Sequence, residues 1–129
     1  MNVFKEIREL DLPKDQYVVV GSSVLVALKI IDTTEDVDIT VSKDVFRRLE
    51  TVGWCHKQES RRPALEHGVY DISTGFGEWN LEDLQADALW LADVPFINPE
   101  KLLAWKQQKA REKDIRHIQL IKKYLSENR

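Results

Sequence analysis

The chain has 129 residues, 43% hydrophobic and 32% charged, with a formal net charge of −3. That balance describes a single domain able to bury a core, and its acidity argues against a general nucleic-acid binder. No apolar run approaches the roughly 20 residues of a membrane span. Residues 1–6 carry no signal-peptide core, and one cysteine, Cys55, excludes an internal disulfide or Cys-rich zinc site, so a cytoplasmic protein is expected.

Val3, Ile7 and Leu10 recur at helical spacing, which predicts a short helix stopped by Asp11-Leu12-Pro13. Tyr17-Val18-Val19-Val20 has the composition of a strand buried on both faces, ended by Gly21. Ser22 or Ser23 is a candidate N-cap for a helix over 24–30. After the polar connection 32–35, Val37, Ile39 and Val41 alternate with Asp36, Asp38 and Thr40, the period of a strand with one polar face. Ser42 caps a helix over 43–51 with Val45, Phe46 and Leu49 inward, ended by Gly53. A strand is expected over 54–58, a turn or edge at Arg61-Arg62-Pro63, and an alternating strand over 68–73. Gly75-Phe76-Gly77 reads as a flexible loop and 90–97 as a strand interrupted by Pro95. Asn98-Pro99-Glu100 is a helix start, and the helix that follows should break between Lys106 and Asp114, where Ala110 is the only apolar residue. The expected fold is α/β (α+β): a short mixed sheet with helices packed on it, a core over 15–97 and C-terminal helices over 98–126 closing a cleft, all in one domain.

Three acids carry the chemistry. Asp36 and Asp38 project from one strand face roughly 7 Å apart at the backbone. Carboxylates so placed repel unless a cation lies between them. Magnesium suits such a site because it takes a few carboxylates and draws further oxygens from substrate phosphates. A third acid on a neighbouring strand would complete a clamp for phosphoryl transfer, and Asp71 is the candidate. The Gly21-Ser22 turn supplies backbone N–H groups suited to a phosphate chain. Taken singly, each feature has a plainer reading: a solvated strand face, a common turn, a surface aspartate. Their order and spacing raise the conjunction above its parts.

Val20-Gly21-Ser22, Leu25, Ala27-Leu28, Thr34 and Asp36-Val37-Asp38-Ile39 resemble the signature of the nucleotidyltransferase superfamily with the DNA polymerase β-like core. The likeness is nearest to the bacterial branch of AbiEii-type toxins and lincosamide nucleotidyltransferase-like proteins. Residues 98–106, followed by Arg111-Glu112-Lys113-Asp114-Ile115, are similar to that branch's closing helical segment. The resemblance spans most of residues 17–121. It implies a nucleotidyltransferase-like fold and transfer of a nucleoside monophosphate from an NTP such as ATP to a hydroxyl on a small molecule, protein or RNA end. Asp36, Asp38 and Asp71 would bind Mg2+ or Mn2+, Asp71 helping to accept the hydroxyl proton. Gly21, Ser22, Lys106 and Arg111 would bind the nucleotide. A homodimer or partner protein would supply the missing wall of the cleft. The chain departs from the pattern at Asp32, where many members are basic, at Lys29, where glycine is common, and at His117, where relatives often have Asp. These departures keep open a catalytically inactive binding or regulatory protein of toxin–antitoxin type. A metal-dependent nuclease using the same acids is a further alternative.

The other residues have plainer expectations. His56, His67 and His117 are too scattered for metal-ligand spacing, although His67 lies just before the Asp71 strand. Cys55 is expected as a buried, inert thiol. Trp79, Trp90 and Trp105 are expected in packing, and Arg47-Arg48 and Arg61-Arg62 as solvated charge. Lys106, Lys109 and Arg111 are expected to face the acidic cleft.

Overall fold

The structure is a computed structural model and describes residues 1–58 and 62–128. The chain opens with helix α1 (Val3–Glu9), whose Asn2 side chain accepts from Lys5 N–H at 3.1 Å. Strand β1 (Tyr17–Val20) is buried along its whole length, as its β-branched run requires. Helix α2 (Ser23–Ala27) is shorter than the sequence suggests. It ends because Lys29 takes φ 62, the left-handed conformation that glycine adopts most cheaply. Strand β2 (Val37–Val41) leads through Ser42, whose hydroxyl accepts from Val45 N–H at 3.2 Å, into helix α3 (Lys43–Thr51).

Strands β3 (Cys55–His56), β4 (Ala64–His67) and β5 (Tyr70–Ser73) form antiparallel neighbours, where the sequence signals only the first and last. Arg61, half of the expected Arg-Arg turn, lies outside the described residues. The stretch expected as a flexible loop contains a small ribbon, β6 (Gly75–Phe76) and β7 (Trp79–Asn80), followed by helix α4 (Leu81–Ala86). The run over 90–97 is a hairpin, β8 (Leu89–Leu91) and β9 (Val94–Phe96), not one interrupted strand. Ala92 and Asp93 turn it at φ 48 and 65 without the glycine that usually advertises such a turn. Helix α5 (Pro99–Lys109) and helix α6 (Glu112–Glu127) are separated by Ala110 at φ 47, so the break falls inside the expected interval.

Seven strands form one open mixed sheet in the order β3-β4-β5-β2-β1-β9-β8, and with the described helices this is a mixed α/β fold, α+β at the coarse level. Register aligns Leu65, Ile72, Ile39, Val19 and Phe96 in a row across five strands, each no more than 1% exposed. Cutting any of these to alanine would cost about 2–5 kcal/mol. Helix α1 covers this apolar face: the Tyr70 hydroxyl donates to Glu6 carbonyl oxygen at 2.7 Å, and Phe4 meets Phe96 edge-on. Burial, aided by a hydrogen bond to the Glu6 carboxylate at 3.1 Å, pushes the Tyr70 phenol up to about 12. The opposite face of the same strands carries the polar residues.

Candidate carboxylate site

Strand alternation puts Asp38 and Thr40 on the face opposite Ile39. Across the parallel β2–β5 pairing, Asp38 lies directly beside Asp71 and Thr40 beside Ser73. On its other side Asp38 faces Val20, the residue before Gly21. Gly21 takes φ +72, and a Cβ there would collide with Asp38 Oδ2, so only glycine lets this turn approach the carboxylate so closely. Asp36 stands in the exposed lead into β2. The fold thus draws Gly21, Asp38 and Asp71 from three strand ends into one place, with Asp36 at its rim.

The electrostatics follow from this crowding. Burial, then the charges of Asp71 and Asp36, push the Asp38 carboxyl from 3.8 to about 7, against the opposing pull of Lys57 and Lys113. Lys57 sits one residue beyond β3, and its backbone N–H bonds Ala64 carbonyl oxygen at 2.8 Å. Its ammonium donates to Asp71 Oδ2 at 2.5 Å. That hydrogen bond holds the Lys57 pKa above its ordinary value. Lys57 does not stand out in the sequence as a site residue, because it reaches Asp71 through strand register, which leaves no local signal; Lys113, part of the 111–115 motif, acts on Asp38 only through space.

The second basic cluster is buried. Lys106, in α5, is 1% exposed, and its ammonium meets Asp114 Oδ1 at 3.3 Å, His117 Nδ1 at 3.2 Å and Ser22 Oγ at 3.5 Å. Those partners match its three donors. Lys106 therefore orients Ser22 beside the Gly21 turn and has no donor left over in this conformation. Burial lowers its pKa, partly offset by Asp114. Arg111 is exposed; it bonds Asp114 Oδ2 at 2.7 Å and stacks over Trp105 at 5.0 Å. Burial alone would raise the Asp114 carboxyl, but bonds from Arg111 and Lys106 outweigh it and hold the group below its ordinary value. Burial and the neighbouring Lys106 charge lower the His117 pKa; since an ammonium only donates, its contact with Lys106 calls for an accepting Nδ1.

A polar groove of about 520 Å³ opens beside Asp71, lined by Lys57, Arg62, Ser73, Trp105, Gln108 and Lys109 among others. Its size suits a small molecule or a chain end. Trp105 packs on Phe76 at 4.5 Å and against Gly77, so its ring is already engaged by the protein.

The remaining expectations divide. Cys55 is exposed, not buried, because β3 is the sheet edge. His67 stacks on Trp54 at 5.0 Å and pairs with Tyr70, which places it on the apolar face, away from Asp71. His56 meets Glu50 at 3.0 Å. Trp90 stands 52% exposed on the other edge strand. Arg47 and Arg48 are exposed on α3.

Among the described residues no group of three or more His, Cys, Asp or Glu side chains is arranged to hold a metal ion. The chemistry nonetheless fits a hard divalent cation. The donors are carboxylate oxygens. On the same face Thr40 Oγ1 is buried without a hydrogen-bond partner among the described residues, and the Lys57 ammonium already stands where a cation would neutralise Asp71. No helix is long and apolar enough to cross a membrane among the described residues. No family model, curated protein or solved structure matches this chain.

Proposed function

We propose that this domain is a metal-dependent nucleotidyltransferase, moving a nucleoside monophosphate from an NTP to an acceptor hydroxyl with release of pyrophosphate. The reading rests on the resemblance of residues 20–39 and 98–115 to the DNA polymerase β-like core. The observation that carries it is the side-by-side pairing of Asp38 and Asp71 next to the Gly21 turn. In this reading Asp36, Asp38 and Asp71 hold Mg2+ or Mn2+. When bound, such an ion stabilises charge on the transferred phosphoryl group and on the attacking and leaving oxygens. The chain's own part is positional. Burial and the neighbouring acids favour the protonated form of Asp38, so a cation held there would compete with a proton for this carboxyl. Gly21 offers its backbone to the phosphate chain, and Lys106 keeps the Ser22 hydroxyl turned toward it. Arg111, exposed at the start of α6, supplies charge to the nucleotide. The groove beside Asp71 receives the acceptor, whose hydroxyl proton passes to Asp71.

A second reading, a catalytically inactive binding or regulatory module on the same fold, is favoured by Lys57 holding Asp71 and by Asp32 at a position that is basic in many members. Incubation with NTP radiolabelled at the α-phosphate, in cell extract with magnesium, separates the readings. Label transferred to an acceptor, and lost in Asp38→Asn, supports the transferase. Calorimetry showing no NTP binding at millimolar nucleotide ends it in favour of the inactive module. Cleavage of nucleic acid without label uptake points to a nuclease.

A further inference from the structure

We propose that Lys57 is a built-in competitor for the cation: its ammonium neutralises Asp71 until a divalent ion displaces it. The inference rests on the metal-dependent reading above and adds a control on loading that the resemblance does not supply. Lys57 lies past the end of β3, and its backbone bond to Ala64 fixes the root of its side chain beside β4. Ala64 carries only a methyl group, and Ala64 pairs with Ser73, two residues along β5 from Asp71. The lysine stem crosses β4 over this methyl to reach Asp71, whose own partner on β4, Glu66, stands on the same face and also attracts the ammonium.

Two features make this contact an exchangeable one. The pair is 43% and 25% exposed at Lys57 and Asp71, so water and ions reach it, and a part-exposed pair stabilises little. The Lys106–Asp114 pair, at 1% and 0% exposed, is the opposite case and serves packing. A lysine also carries one charge, whereas Asp71 pairs with Asp38 on one side and with Glu66 on the other, so three carboxyl groups share this stretch of the face with one ammonium. A divalent ion held by Asp71 and Asp38 relieves that excess, and the freed lysine can lie along the groove that it already lines.

The test is Mn2+ binding to the full chain, read from the free-ion signal in electron paramagnetic resonance. Lys57→Met keeps the stem and removes the charge, and it should tighten Mn2+ binding roughly ten-fold. Adding Asp71→Asn to that variant should erase the gain. Lys113→Met removes a charge that acts on Asp38 through space and should tighten binding less. Unchanged or weaker affinity in Lys57→Met overturns the proposal while leaving the metal site standing. So does an equal gain from Lys113→Met, or a gain that survives Asp71→Asn. Absence of Mn2+ binding in every variant overturns the metal-dependent reading and this inference together. Lys57→Gln carries the same expectation should Lys57→Met fail to fold.

Discussion

Asp38 and Asp114 are both drawn out of water by the fold, yet folding moves their affinities for a proton in opposite directions. Asp114 is fully buried, but it receives Lys106 and Arg111 within hydrogen-bond reach and stays below its ordinary value. Asp38 is only half-buried, but its nearest charged neighbours are acids and it rises to about 7. Burial alone therefore does not set the sign; the charge that accompanies it does. One cluster is complete within the chain and clamps α5 to α6 and to the Gly21 turn. The other is left with surplus negative charge, which is a cost to the fold unless something outside the chain removes it.

Breaking the complete cluster should have the larger effect. Asp114→Asn leaves Lys106 buried without its counter-charge and should destabilise the protein by about 3–5 kcal/mol in denaturant unfolding. Because the Asp114 value is lowered on folding, its contribution is present above the unfolded value of 3.8 and disappears as pH falls through the folded one. The variant should lack that part of the acid transition. A cost below about 1 kcal/mol would mean that the buried pair is not the clamp its geometry suggests.

Neutralising the incomplete cluster should act the other way. The Asp38 value is raised on folding, so the penalty is absent below pH 3.8 and complete above about 7. The shift sets a ceiling of about 4 kcal/mol, and water access to a half-buried group leaves roughly 1–3 kcal/mol of it. Asp38→Asn should therefore melt higher than the parent at pH 8 and equal to it near pH 4. A variant less stable at both pH values would refute uncompensated charge at Asp38. Of the same order, but opposite in sign, is Gly21→Ala, which forces a side chain into φ +72 and against Asp38. It should cost about 1–3 kcal/mol in thermal unfolding, and no loss would place the turn away from the carboxylate.

Local pattern determined a good part of this molecule. The β-branched run of β1, the Ser42 and Asn98 caps, the break at Ala110 and the alternation that sets Asp38 and Thr40 opposite Ile39 on β2 all follow from near-neighbour sterics and period, whereas Asp36, expected on the same strand face, lies just before the strand begins. Gly21 and the three aspartates were legible as candidates for the same reason. Tertiary structure decided the rest: β4 between two expected strands, the hairpin turned by Ala92 and Asp93, the exposure of Cys55, and the meeting of Lys57 with Asp71. It also made Lys106 an orienting group with every donor occupied instead of a free cation. A residue's own neighbours set its period and its backbone, but which charge faces which is set by strand register and helix docking, and those depend on how distant segments bury their apolar faces.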